Sequence, residues 1–129
     1  MIFYRIKSEG IAHNSYLVGS GNKAAVIDPR RDCSVYVELA QKHGLQITHI
    51  FETHRNEDNA IGSIELQHFT GAEIFHGPGP DRGFGSTLEE GQRFRYGCKY
   101  FITGRISEPV QRSRRIQCLE RCRISAYVK

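Results

Sequence analysis

The chain alternates short apolar runs with polar turns, and in two places the apolar spacing changes from period two to period three and four. Ile2 to Ile6 is a β-branched and aromatic run, followed by a second one, Ser15-Tyr16-Leu17-Val18. The turn Gly19-Ser20-Gly21-Asn22 hands this strand to Ala24-Ala25-Val26-Ile27, which ends at Asp28-Pro29. Two short strands joined by a Gly/Asn-rich turn predict a hairpin. Asp32 or Ser34 is placed to cap a helix whose apolar positions Tyr36, Leu39 and Ala40 recur at i, i+3 and i+4, with Gly44 as its stop. Ile47 to Phe51 reads as an interior strand. Residues 59–70 read as a second helix, with Ile61, Ile64 and His68 on one stripe, Leu66 and Phe69 beside it, and Gly71 past its end. Glu73 to His76 is the next strand, and Gln92 to Tyr96 another after a turn at Leu88-Glu89-Glu90-Gly91. A hairpin followed by strand–helix–strand–helix–strand implies an α/β fold, with a mixed sheet and its helices on one face.

Composition narrows the class. A chain of 129 residues has the length of one domain, since domains most often run to roughly 100–150 residues. It is 39% hydrophobic and 25% charged, which excludes the disordered class, and no apolar run approaches the ~20 residues of a membrane span. The opening Met1-Ile2-Phe3-Tyr4-Arg5-Ile6 lacks the pattern of a signal peptide, so the four cysteines are expected to be reduced thiols in a cytoplasmic protein. The net charge of +4 is unevenly spread. Residues 1–97 hold 10 Lys+Arg against 12 Asp+Glu, whereas residues 98–129 hold 8 against 2, together with Cys98, Cys118 and Cys122. The chain therefore divides into a domain over 1–97 and a basic, cysteine-containing tail over 98–129.

In sheets of this kind chemistry gathers beyond the carboxyl ends of the strands. There, between Phe51 and the second predicted helix, lies Glu52-Thr53-His54-Arg55-Asn56-Glu57-Asp58-Asn59, the segment densest in groups that bind metals or move protons. His54 and Asp58 are among its groups of that kind. A plain structural role for Asp58 is to cap the second predicted helix. Asp28 is expected to tie the turn after its own strand by accepting backbone N–H groups. His13, His43, His49, His68 and His76 share no ligand spacing. His49 lies two residues from Phe51 on one strand face and is expected to pack there.

Thr53-His54-x-Asn56-x-Asp58-Asn59 has the register of the Thr-His-x-His-x-Asp-His signature of the metallo-β-lactamase fold. His13-Asn14-Ser15-Tyr16-Leu17-Val18, Ala25-Val26-Ile27-Asp28-Pro29 and Gly62-Ser63 agree with it. Residues 11–77 resemble the N-terminal half of that αβ/βα sandwich, and most closely its persulfide dioxygenase and glyoxalase II branch. The resemblance implies a metalloenzyme acting on a low-molecular-weight thiol derivative, with iron or zinc as the metal. It also implies one iron held by two histidines and a carboxylate in the dioxygenase case, with His54 at the position of the N-terminal ligand and the leading candidate, and with Asp58 the second candidate ligand and the candidate catalytic carboxylate. Asn56 and Asn59 stand where the two-metal hydrolases carry histidine, and an uncharged amide is a weak ligand for either metal. No His follows His76 and no Asp follows Asp81, so one copy of the chain does not complete the ligand set.

From Cys98 the expected Pro-Gly-His-type loop is missing. Thr103 to Arg115 has the Arg- and Ser-rich composition of an out-of-frame reading, and the tail is a candidate frameshift product on that ground. Arg112, Arg114 and Arg115 are read as solvated surface rather than a nucleic-acid contact, and Cys118-x-x-x-Cys122 lacks the fourth ligand of a zinc site. Gly77 to Gly85 is read as a glycine-rich loop. Half a sandwich should leave one apolar sheet face bare, which predicts a homodimer or a second chain covering it. The alternative to an enzyme is a non-catalytic remnant whose metal site has decayed.

Overall fold

The computed structural model describes residues 1–8, 13–53, 62–77, 83–89, 91–97, 99–104 and 115–119, the last two stretches as strands only. Their architecture is a six-stranded mixed sheet with a three-stranded sheet beside it. β1 (Ile2–Lys7), β2 (Asn14–Ser20) and β3 (Lys23–Ile27) run antiparallel in sequence order. β4 (Gln46–Glu52), β5 (Glu73–His76) and the two-residue β6 (Ser86–Thr87) then add in parallel. β7 (Arg93–Tyr96), β8 (Lys99–Gly104) and β9 (Arg115–Leu119) form the second, antiparallel sheet. β6 falls just after the predicted glycine-rich loop, and two residues without an apolar pattern left nothing in the sequence to mark it.

The helices lie on one face of the large sheet, as the alternation of elements requires. α1 (Ser34–Lys42) buries Tyr36 and Ala40 over Leu17, Val26 and Ile50. Neither expected cap is used: Cys33 occupies the N-cap position, and Asp32 instead accepts the Ser34 hydroxyl at 2.6 Å, which holds its carboxyl below the usual range. α2 (Ser63–Thr70) begins at the cap residue Gly62. Asp58, to which the sequence gives a capping role, lies outside the described residues. The buried residues of α2 are Ser63 and Leu66, while Ile64 and Phe69 are exposed at 44% and 67%, so the helix is turned away from the predicted Ile64–His68 stripe. Gly62 explains the phase. A Cβ there would stand 2.0 Å from the Arg30 carbonyl oxygen, so a bare α-carbon lets the helix start press against that turn and turns Ser63 and Leu66 inward.

The opposite sheet face is closed by β7. Phe94 and Tyr96 lie over Phe51 and Phe75, with Phe94 making edge contacts to both at ring-centre distances of 4.9 Å. Arg93 and Arg95 alternate with them and are exposed on the other side of the strand. The bare apolar face expected of a half sandwich is thus absent among the described residues, because the strand after residue 92 folds back over the sheet. β7 and β8 pair directly across the compositional junction at Gly97. Gly97 also meets the β2–β3 turn: a Cβ at Gly21 would lie 3.3 Å from Gly97 Cα, and both glycines have positive φ, +64° and +59°.

Candidate functional site at the strand ends

The turn after β3 is the anchor of this region. Asp28 is the one non-glycine residue with positive φ (48°) among the described residues, a conformation that Asp tolerates better than most. Its carboxylate accepts the Thr53 backbone N–H at 2.7 Å through Oδ1 and the Thr53 hydroxyl through Oδ2. Its own N–H donates to Phe51 O at 2.8 Å. Asp28 does accept a backbone N–H, as expected, but that of the neighbouring strand's end rather than of its own turn. The next residue repeats the pattern, since Pro29 O accepts the Gly62 N–H at 3.1 Å. The residues flanking segment 54–61 on either side are therefore both tied to Asp28-Pro29.

The helix side holds the same turn. Arg30 N–H donates to Tyr36 Oη at 2.9 Å, and Ser15 Oγ donates to Ile6 O at 3.3 Å. The Tyr36 hydroxyl, 2.6 Å from Ser15 Oγ, is left to donate to Ser15, which completes a directed chain through the core. Burial pushes the Tyr36 phenol up, so the hydroxyl keeps the proton this chain needs. Cys33 Sγ donates to Gly62 O at 3.2 Å, and burial raises its thiol to about 11. This cysteine is a packed hydrogen-bond donor and not a nucleophile.

Beside this anchor, Glu52 and His76 face each other in register at the carboxyl ends of β4 and β5, both buried. Phe51 and Phe75 point to the second sheet, so strand alternation puts Glu52 and His76 on the helix side. His76 Nδ1 is 3.1 Å from Gly77 O and Nε2 is 3.2 Å from Phe84 O. Carbonyls only accept, so a ring with two protons makes both bonds and a neutral ring makes one. Sequence spacing offered no reason to single out His76, because its partners are backbone carbonyls.

The sequence-derived site residues His54 and Asp58, with Asn56 and Asn59, lie outside the described residues. Among the described residues no group of three or more His, Cys, Asp or Glu is placed to hold a metal, and no helix is long and apolar enough to cross a membrane. His54 and Asp58 by themselves fall short of the three protein ligands an open catalytic site uses, so no chemical step is assigned to a metal here.

A mixed sheet whose turn after β3 grips both ends of the segment carrying Thr53-His54-x-Asn56-x-Asp58 is matched by a family model. The model, described as the metallo-beta-lactamase superfamily, covers residues 9–111. The chain belongs to that superfamily. The match continues past Gly97, so the change in composition there does not end the metallo-β-lactamase pattern.

Solved structures agree on the fold. A metallo-beta-lactamase from Staphylococcus aureus subsp. aureus COL has a TM-score of 0.78 at 24% identity, covering 92% of this chain and 38% of its own. ETHE1 from Myxococcus xanthus has a TM-score of 0.72 at 24% identity, covering 80% and 47% respectively. The subclass B3 metallo-beta-lactamase BJP-1 of Bradyrhizobium japonicum has 0.64 at 15%, covering 95% and 56%. The chain thus spans 38–56% of the lengths of these three metallo-β-lactamase-fold proteins. A comparison with curated proteins gives no match.

Proposed function

We propose that this chain carries the N-terminal part of a metal-dependent enzyme of the persulfide dioxygenase or glyoxalase II type, acting on a low-molecular-weight thiol derivative. The observation that carries the reading is the way the Asp28-Pro29 turn holds Thr53 and Gly62, the residues flanking the His54 segment, at the carboxyl end of β4. That arrangement suits a segment that must present a ligand in fixed geometry. His54 is the proposed metal ligand and Asp58 the second, with iron or zinc as the metal. The single histidine in the signature, together with the likeness to ETHE1, favours the mono-iron side of the pair.

Asn56 and Asn59 favour a second reading, in which the protein has kept the fold and lost the metal. Elemental analysis of the purified protein separates the two. Near-stoichiometric iron or zinc that disappears in His54→Ala supports the enzyme. A folded protein without bound metal after reconstitution with either ion refutes it and leaves the remnant.

A further inference from the structure

The His76 ring closes a loop at the same sheet edge as the Asp28 anchor. Gly77 leaves the end of β5, and Phe84 stands shortly before β6, which returns beside that strand. The imidazole bridges the two limbs, meeting Gly77 O through Nδ1 and Phe84 O through Nε2. The returning limb is closely seated. Leu88 N–H donates to His76 O at 2.7 Å, the Phe84 ring meets the imidazole edge-on at 6.4 Å, and Phe84 packs against the helix-side core. A Cβ at Gly85 would stand 3.3 Å from His76 Cδ2 and 2.9 Å from Ile74 O, so a bare α-carbon lets the chain lie against the ring. His76 is in register with Glu52, the residue before Thr53, which places the closure beside the turn that holds the His54 segment.

Neither partner can answer as a donor, because both are backbone carbonyls. A neutral ring has one proton, so whichever tautomer forms turns a nitrogen lone pair on one of two oxygens only 3.1 and 3.2 Å away, and that contact repels. The doubly protonated ring alone satisfies both. We propose that His76 is a proton-dependent positioning residue, which clasps both limbs of the 77–84 segment as an imidazolium and lets go of the Phe84 limb on losing one proton.

Burial decides which limb is released. Gly77 is buried and joined to His76 by one peptide bond, so its carbonyl does not reach water when the bond breaks, and a buried acceptor left unmade is costly. Phe84 is half-buried between the exposed Gly83 and Gly85, and its carbonyl gains water as the limb lifts. The neutral ring therefore keeps its proton on Nδ1. Among the described residues the charge of the clasped form meets one acid, Glu52 of β4, buried on the same sheet face, which favours it. Glu73 of β5 alternates to the opposite face and is exposed. α2 turns Ser63 and Leu66 to the sheet and leaves Glu65 and His68 exposed, while β6 brings only Ser86 and Thr87. Proton binding favours the clasp, so its stabilisation is present at low pH and is lost as pH rises through the midpoint of the ring.

The test is an NMR titration of the whole chain from about pH 5 to 9, with the histidine ring nitrogens and the backbone carbonyl carbons labelled. Both ring N–H protons of His76 should be present at the acid end. As pH rises, Nε2 should lose its proton and Nδ1 keep it, with the Phe84 carbonyl carbon moving upfield at the same midpoint and that of Gly77 moving less. His76→Gln keeps an amide donor for the Phe84 carbonyl and does not titrate, so it should hold the Phe84 signal near its acid position throughout. His76→Phe should hold it near the basic one. A singly protonated His76 at the acid end, both protons kept to the basic end, titration of the ring with no movement at Phe84, or an unchanged response in a folded His76→Gln would each overturn the clasp. The titration of the unaltered protein decides the question even where a variant does not fold.

Discussion

The Asp28–Thr53 contact allows a quantitative prediction about how the His54 segment is held. Asp28→Asn keeps the residue's tolerance of positive φ and its size, but offers one acceptor oxygen to two donors, the Thr53 N–H and O–H. Thr53→Val keeps the N–H and removes the hydroxyl. Hydrogen bonds to a charged group contribute about 1.5–3 kcal/mol, and both residues are half-buried, so each single change should cost about 1.5 kcal/mol. Asp28→Ala loses both acceptors and must also hold φ at 48°, and should cost roughly 3–5 kcal/mol, a large part of the 5–15 kcal/mol typical of a domain. Urea unfolding with linear extrapolation measures each variant, provided the slope m is unchanged. Because the side chains touch, the Asp28→Asn/Thr53→Val double variant should show about 1 kcal/mol of coupling. Additivity to within about 0.3–0.5 kcal/mol would refute the idea that these two side chains work as one anchor.

Three further outcomes are expected. Gly62→Ala forces a methyl against the Arg30 carbonyl and should cost about 1–3 kcal/mol or more in the same assay, whereas a change within about 0.5 kcal/mol would show that the helix start is not closely seated. Tyr36→Phe leaves the ring in place but strips the Arg30 N–H of its acceptor, and should cost about 1–3 kcal/mol; Tyr4→Phe, whose hydroxyl meets His43 near the surface, should cost less than half as much. Cys33, with its thiol raised to about 11, should resist iodoacetamide at pH 8 in the folded protein and react at once in urea; modification at equal rates in both would disprove its burial.

Most of the strand and helix order was legible because it rests on local periodicity. Val26, Ile50 and Ile74 belong to strands bounded by glycine or proline, and the hairpin and crossovers come from their spacing. His49 packing beside Phe51 was readable from the period of two, although the period did not foresee Thr48 as an extra residue of β4 in its pairing with β3, or the Tyr96 hydroxyl as a partner 2.6 Å from His49 Nδ1. A bulge leaves the same letters in the chain and changes only what they face. The phase of α2 was misread because Ile64 is the more apolar residue. The deciding feature is the close approach of Gly62 to Arg30, thirty-two positions earlier, which periodicity does not carry. The anchor around Asp28 was half visible for the same reason: a carboxylate before proline signals a tied turn but does not name Thr53 as its partner. The covering of the sheet by Phe94 and Tyr96 was missed because a four-residue strand reads identically whether it extends a sheet or folds over it.

The contact between Gly21 and Gly97 gives the change in composition a different meaning. Residues on the two sides of Gly97 differ sharply in charge, yet the glycine itself is wedged against a turn from the other sheet, with a backbone conformation that side chains seldom adopt. Drift can rewrite the residues beyond this point far more freely than the point itself. A library randomised over residues 93–104 should therefore return many tolerated letters at the outward positions and chiefly glycine, asparagine and aspartate at 97. The pivot between an acidic and a basic half is also where the two sheets are keyed together.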